Sequence, residues 1–251
     1  MIDRRRFLLR SLQTAALAAL AGCDALSQDA RFARLLGAAE GATRRAHRLL
    51  TPRAALAREF TDADLSPVFP TNGHTNPTNP GYQASAERGF ADWTLQVGGL
   101  VERPVWFSLA DLKRLPARTQ ITRHDCVEGW SAIAKWTGPP LREVLDLVRP
   151  RPSARYVVFF CADPDEDGNL YYESLDLEEA AHPQTILAYE MNGRPLPVAH
   201  GAPLRLRVER QLGYKMAKYL MRIEFRDGFG TIGGGNGGYW EDRGYEWYAG
   251  I

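Results

Sequence analysis

The sequence predicts an α+β fold, and three observations carry that expectation. Short segments with period-two alternation outnumber long helical runs, strands and helices do not recur as a repeating strand-helix unit, and no internal repeat is evident. The 251 residues are 45% hydrophobic and 24% charged, an ordinary globular composition that excludes a disordered, collagen-like or multi-span membrane chain. With 31 Lys+Arg against 30 Asp+Glu the formal charge is +1, so nothing in the total implies nucleic-acid binding. Three cysteines cannot build a disulfide framework, which leaves packing or a bound cofactor to stabilise the fold.

The elements follow in chain order. Residues 1–22 open with Arg4-Arg5-Arg6-Phe7-Leu8 and continue into an apolar run from Leu12 to Ala21. That run is too short to span a bilayer, which needs about 20 apolar residues, and its flanks are those of an export signal. The paired arginines resemble a twin-arginine signal, and Leu20-Ala21-Gly22-Cys23 resembles a lipobox in which Cys23 is lipidated. Twin-arginine export carries folded proteins, which implies a cofactor loaded in the cytoplasm. Residues 1–22 hold +3 of the +1 total, so the remainder carries −2. Asp24 resembles the residue that retains lipoproteins at the inner membrane.

Residues 23–62 read as a basic helical and linker segment. Leu35, Leu36, Leu49, Leu50 and Leu56 lie at near-helical spacing broken by Thr51-Pro52, which predicts two helical pieces. A local charge of +4 between Asp29 and Phe60 fits either reinforcement of a lipid anchor at anionic headgroups or a solvated linker helix. The catalytic domain is expected over 63–251. Pro67 to Pro80 is dense in turn dipeptides and predicts a loop. Trp93–Val101 predicts a strand, and Ser108 caps a short helix. Further strands are expected at Ile121–Thr122, Tyr156–Ala162, Tyr171–Ser174, Leu204–Val208 and Tyr219–Phe225, with short helices at Leu141–Val148 and Leu177–Ala180.

The stretch Arg123-His124-Asp125-Cys126-Val127-Glu128-Gly129-Trp130-Ser131 places a cysteine where a strand gives way to a loop. A thiolate beside an arginine can bind a soft, high-valent metal; a lone cysteine is otherwise a buried structural residue. The stretch resembles the molybdenum-ligating loop of the sulfite oxidase family, in its bacterial branch of methionine-sulfoxide-reductase catalytic subunits. There the ligand lies in Arg-x-x-Cys-Val-Glu-x-Trp-Ser with a second tryptophan downstream, here Trp136. The resemblance runs from about Pro70 to the C-terminus, through Arg155-Tyr156-Val157-Val158-Phe159, His182-Pro183-Gln184-Thr185, Leu196-Pro197, His200 to Leu206 and Gly213-Tyr214-Lys215.

The resemblance implies a mixed-sheet, barrel-like molybdopterin-binding fold in one catalytic domain, with Mo-molybdopterin as cofactor. Cys126 aligns with the molybdenum-bound thiolate, and Arg123 precedes it as the second catalytic candidate. Asn72 aligns with a pterin-contacting asparagine, and Thr75 and Asn76 fall at further pterin contacts with altered residue types. Cys161, a poorer hydrogen-bond donor, stands where the branch has a pterin-contacting threonine. His200 stands where the reductase branch has asparagine and sulfite oxidases often have histidine. Arg205 matches an arginine that pairs with the pterin phosphate, and Met216, Ala217 and Lys218 match the last pterin-binding stretch. A phosphate and dithiolene need a basic, donor-rich pocket; along Arg205, Arg207, Arg210, Lys215 and Lys218, alternation sends only some side chains inward, and Arg207 and Arg210 are expected on an exposed polar face.

Other motifs carry less. Asp163 to Gly168 begins like a calcium loop but has Ser174 at the twelfth position, so it reads as an acidic hairpin loop. Gly228 to Gly238 has no helix after it to hold a phosphate and reads as a flexible loop. The five histidines lack zinc-ligand spacing, and no Cys-x-x-Cys-His attaches a c-type haem. The family implies a periplasmic enzyme, lipid-tethered at the inner membrane, performing two-electron oxygen-atom transfer on a small sulfur-containing substrate or an oxidised protein methionine. Electrons would pass through a membrane haem subunit or a c-type cytochrome. Cys-Val-Glu-x-Trp favours S-oxide reduction, whereas His200 leans toward sulfite dehydrogenation. Two alternatives from other classes are a metal-free hydrolase with Cys126 activated by His200 and a non-enzymatic lipoprotein.

Overall fold

The computed structural model describes residues 30–251 apart from residue 166; the export signal, Cys23 and Asp24 lie outside the described residues. The chain divides into two units at Thr51 and Pro52. In the first, α1 (Ala30–Leu50) is one helix with His47 and Arg48 in its last turn, where positive charge complements the helix dipole. It stops ahead of Thr51-Pro52, as the steric demand of a proline on its predecessor requires.

The second helical piece expected up to Phe60 is absent from the second unit. Residues 55–60 are extended and Asp62–Asp64 make a single 3-10 turn, because the backbone on either side of that turn bonds to the domain. The Gln184 side chain accepts from Ala57 N–H at 2.7 Å and donates to the Ala57 carbonyl at 3.0 Å, Phe60 N–H donates to the Ile121 carbonyl at 2.9 Å, and Ser66 N–H to that of Ile133 at 3.0 Å. The predicted loop that follows ends in a helix, α2 (Pro80–Glu87). Asn79 caps it by accepting from Tyr82 N–H, and Pro80 occupies the first turn, where its missing N–H costs nothing.

A five-stranded sheet runs in the order β2 (Val105–Ser108), β1 (Thr94–Gly99), β11 (Leu220–Arg226), β5 (Tyr156–Pro164), β6 (Leu170–Asp176). The β1–β11 pair is parallel and the others antiparallel. A four-stranded antiparallel sheet joins β3 (Arg118–Asp125), β4 (Ser131–Gly138), β8 (Glu190–Met191) and β9 (Arg194–Pro195), and β7 (Thr185–Ala188) pairs with β10 (Arg205–Val208). The α+β expectation holds. The barrel-like shape does not, because all three described sheets are open and none closes on itself.

Three short helices connect the strands: α3 (Leu109–Arg114), α4 (Leu141–Val148) and α5 (Leu177–Ala180). Ser108 and Asp111 form a reciprocal capping box that starts α3. Leu141, Val144, Leu145 and Val148 recur at i, i+3, i+4 and i+7 along α4, so one face is apolar and buried. That face meets Leu95 and Val97 of β1, Val157 and Phe159 of β5, Ile223 and Phe225 of β11 and Leu206 and Val208 of β10 in the main core. A second cluster forms around Trp136, Ile186, Ala188 and Met191. β4 approaches β7 so closely that a Cβ on Gly138 would lie 2.0 Å from the Leu187 carbonyl oxygen, so only glycine fits at that crossing.

Candidate active site

The β3–β4 hairpin presents Cys126. Asp125 and Ser131 close the ladder. The Cys126 N–H then donates to the Trp130 carbonyl at 2.9 Å, and its own carbonyl accepts from Gly129 N–H at 3.0 Å. Gly129 sits at φ +87°, a left-handed conformation that glycine adopts without a Cβ penalty. This turn holds Cys126 on the wall of a cavity of about 280 Å³, near the lower bound of about 300 Å³ for small-molecule sites. Burial pushes the thiol above its ordinary range, so the free side chain is a poor nucleophile.

Three further walls meet there. Asn72, Gly73 and His74 come from the loop before α2, Asp163 and Tyr171 from the β5–β6 hairpin, and Gly213, Tyr214, Met216 and Lys218 from the β10–β11 connection. Lys218 fastens two of them together: its ammonium donates to the carbonyls of Asn72 at 2.7 Å, His74, and Ala199 at 3.3 Å. Burial and the Arg205 charge bring its pKa down to about 8. Asp163 offers one oxygen to His74 Nδ1 at 3.3 Å and leaves Oδ1 buried without a partner. Burial lifts its carboxyl to about 6 despite the opposing charges of His74 and Lys218.

Behind the Met216 wall lies a dry layer of cations. Arg205 is buried, donating through Nη1 to the His200 carbonyl at 3.0 Å and through Nη2 to that of Met216 at 3.4 Å, with Nε unpaired. Burial and neighbouring Arg207 lower its pKa to about 9. Arg207 makes two bonds to Glu209, at 2.9 and 2.7 Å, and contacts His124 Nδ1 at 3.0 Å. A guanidinium only donates, so Nδ1 accepts and the His124 proton resides on Nε2. Burial first, then the two arginines, depress the His124 pKa to about 2 and keep the ring neutral. Both guanidiniums lie over Trp136, 4.9 and 4.4 Å from the ring centre. Phe69 joins the layer, with centroids 5.4 to 5.9 Å from His124, Trp130, Trp136 and His200.

Of the residues singled out in the sequence, Cys126, Asn72, Met216 and Lys218 meet at the cavity, with Arg205 one hydrogen bond behind it. His200 is half-buried, its ring edge-on to Phe69, and burial brings its pKa to about 4. Thr75 and Asn76 are exposed on the loop and outside the lining. Cys161 and Ala217 are buried in the main core. Arg123 departs from its expected catalytic place. Strand alternation turns it away from buried His124, and it pairs with Asp125 while 57% exposed.

Arg207 and Arg210 were expected in solvent, yet Arg207 is fully buried and Arg210 is largely covered while paired with Glu179. For Arg207 the reason is that β10 is covered on both faces, Leu206 and Val208 by the main core and Arg205 and Arg207 by Trp136; Arg210, past the end of β10, is covered by its contacts to Glu179 and the Pro52 and Arg53 carbonyls. Lys215 is also buried, between Glu173 and Glu241, rather than in the cavity. The acidic hairpin loop is confirmed, closed by Asp165 Oδ1 accepting from Asp167 and Asn169 N–H. The glycine-rich loop read as flexible is instead pinned by Asp242, which accepts from Gly234 N–H at 2.7 Å and Asn236 N–H at 3.0 Å. Sequence reading missed His74, Asp163 and the wall formed by Tyr171, Tyr214, Tyr239, Trp240 and Tyr245. The aromatic density of residues 239–248 was the signal available for the last three.

A model of the oxidoreductase molybdopterin-binding domain matches residues 82–229. The chain is 37% identical over 98% of its length to a protein of Azospira oryzae with the provisional name protein-methionine-sulfoxide reductase subunit YedZ1, and covers 87% of that protein. It is 40% identical, over 60% of its length, to the protein-methionine-sulfoxide reductase catalytic subunit MsrP of Xanthomonas axonopodis, and 34% identical, over 66%, to that of Campylobacter jejuni. It spans 50% and 60% of those two relatives. The sulfane dehydrogenase SoxCD of Paracoccus pantotrophus superimposes with a TM-score of 0.49 at 26% identity, over 55% of this chain and 39% of that one.

The side chains present suit a molybdopterin. Its phosphate requires a buried cation with a spare donor, which Arg205 Nε supplies, and its heterocycle requires polar partners at the wall, which Asp163 Oδ1 and the Asn72–His74 loop supply. Among the described residues no group of three His, Cys, Asp or Glu side chains converges on a metal position. Cys126 would therefore contribute a single thiolate and the cofactor the other sulfur ligands. The matched span begins inside α2, ends just after β11 and takes in more than half of the sequence, and on that ground the chain belongs to the molybdopterin-binding oxidoreductase family, as an oxidoreductase whose cofactor is Mo-molybdopterin.

Proposed function

We propose that this protein is a periplasmic catalytic subunit that reduces an S-oxide such as methionine sulfoxide by two-electron oxygen-atom transfer, with Cys126 as the protein ligand to molybdenum. The observation that carries the reading is the position of Cys126, held by two turn hydrogen bonds on a cavity wall backed by the unpaired Nε of Arg205. When bound, the molybdenum centre supplies the oxygen-atom and two-electron chemistry.

The chain's own residues position and protonate. Cys126 gives up its proton on binding a metal. Arg205 would hold the negative charge of the phosphate, and the three carbonyl contacts of Lys218 fix the Asn72–His74 loop against the β10–β11 connection. Conversion of an S-oxide to sulfide and water consumes two protons. Asp163, with its carboxyl raised to about 6 and bonded to His74, keeps a titratable proton on the cavity wall. The names of the relatives, reductase subunit and catalytic subunit, support a separate redox partner, which we take to be a membrane haem subunit or c-type cytochrome. The opening residues support export by the twin-arginine route, lipidation at Cys23 and a signal over 1–22; of the 23–62 segment proposed to link it to a 63–251 domain, residues 52–62 group with that domain. His200 supports a second reading, a sulfite dehydrogenase of the same family.

Protein exported by its own signal should contain one molybdenum per chain and release a fluorescent pterin on denaturation. It should oxidise a reduced viologen with methionine sulfoxide faster than it turns over sulfite. Cys126→Ala should remain folded and lose turnover by at least three orders of magnitude; full turnover in that variant would sink the reading.

A further inference from the structure

Five rings on the cavity wall have no part in the chemistry above. Tyr171 stacks on Tyr239 with centroids 5.3 Å apart at 28°, and Tyr239 meets Trp240 edge-on at 5.4 Å. Trp240 stacks on Tyr245 at 5.1 Å and 29°, and Tyr245 meets Tyr214 edge-on at 5.2 Å. They form one continuous arc on the cavity that also contains Cys126. The hydroxyls of Tyr171, Tyr214 and Tyr239 donate elsewhere, to the Tyr214 carbonyl, the Glu246 carbonyl and Asp165. Those rings therefore have their polar ends already engaged.

The arc runs outward from the core, where Tyr171 packs and Tyr214 is buried. Trp240 and Tyr245 stay 37% and 38% exposed, although the backbone between them is fixed. Glu241 pairs with buried Lys215, Asp242 accepts from Tyr172 at 2.6 Å and from Gly234 and Asn236 N–H, and Arg243 pairs with Asp165 at 3.0 Å. Three successive anchored residues thus hold two displayed rings in place. All of Tyr239, Trp240 and Tyr245 lie beyond residue 229, where the family match ends.

Charge decides what such a wall can accept. The remaining lining includes the carboxylates of Glu128 and Asp163, and its single lysine, Lys218, is already committed to three carbonyls. An inorganic sulfur oxoanion would meet carboxylates and the negative faces of aromatic rings. An uncharged sulfoxide with an apolar arm would instead gain contact with the rings, to which sulfur and polarised methyl groups are attracted.

We propose that the Tyr171–Tyr239–Trp240–Tyr245–Tyr214 arc is a substrate subsite that selects uncharged organic S-oxides bearing an apolar arm, such as a methionine sulfoxide side chain within a peptide, over inorganic sulfur oxoanions. This rests on the oxygen-transfer reading and narrows its substrate. The arc grips the arm, so it acts on binding more than on turnover. A substrate without an arm gains little from it.

The test uses molybdenum-loaded enzyme with reduced viologen as donor and three substrates: N-acetylmethionine sulfoxide methyl ester, dimethyl sulfoxide and sulfite. Trp240→Ala and Tyr245→Ala should each raise KM for the ester at least tenfold and shift that for dimethyl sulfoxide less than threefold. Calorimetry should show a parallel rise in the ester's Kd. Trp240→Phe should recover most of the loss, and Trp106→Ala, an exposed tryptophan on β2 outside the cavity, should match the parent protein. Unchanged ester KM and Kd in both alanine variants at full molybdenum content would overturn the arc. So would equal losses for ester and dimethyl sulfoxide, which would mark a purely structural role. A molybdenum-loaded parent protein that turns over sulfite and no sulfoxide would instead overturn the reaction assignment itself.

Discussion

At Arg205, burial and anion recognition pull in opposite directions. A guanidinium without a carboxylate of its own is costly in a dry interior, which is why its pKa falls to about 9. An arriving phosphate relieves that cost, so Arg205→Ala should lower bound pterin at least tenfold while leaving the unfolding midpoint of cofactor-free protein unchanged or higher; pterin fluorescence after denaturation measures it. Asp163 has the related problem with opposite charge. Its native pKa of about 6 exceeds the ordinary carboxyl value of 3.8, so the native state binds the proton more tightly than the unfolded chain does. The resulting stabilisation is complete below 3.8 and is lost as pH rises through 6, leaving an ionised buried group that costs about 3 kcal/mol at most. Asp163→Asn should therefore stabilise cofactor-free protein by up to about 3 kcal/mol at pH 7.5 and by almost nothing near pH 4, as urea unfolding at the two pH values would show.

At the scale of elements, the link between the C-terminal segment and the cavity is ionic. Lys215 belongs to the connection that supplies Tyr214 and Met216, Glu241 to the one-turn helix after Trp240, and Glu173 to β6; none of the three side chains is more than 1% exposed. Removing one partner of a buried group of this kind typically costs about 3–5 kcal/mol, because the others remain desolvated and unpaired. Lys215→Ala should lose about that much in equilibrium unfolding, and its Trp240 emission should shift toward the solvent-exposed range. Elements with strong local signals were legible from sequence: α4 by its apolar period and α3 by its Ser108 cap. Strand β4 was not read, because its tight pairing with β3, rather than its own composition, specifies it. Residues 53–60 read as helical on composition and were straightened by Gln184, over 120 positions later.

For the whole molecule, what could be read was chemistry concentrated in a short motif, and what escaped was chemistry assembled from distant parts. Cys126 and Lys218 carry their signals locally. The partnership of His74 with Asp163 and the aromatic arc depend on loops that only the folded sheets bring together. Alternation along β10 was misapplied, because residues 205 and 207 are two apart and share a face, so Arg207 lies over Trp136 beside Arg205 rather than in solvent.

Trp136, fully buried beneath two guanidiniums, has an optical consequence. An indole in a strong, fixed electric field emits at an energy set by that field, and the field changes when either neighbouring cation is neutralised. A variant with its other tryptophans replaced by phenylalanine would therefore carry an intrinsic chromophore that reports, in real time and without a label, when a phosphate docks at Arg205.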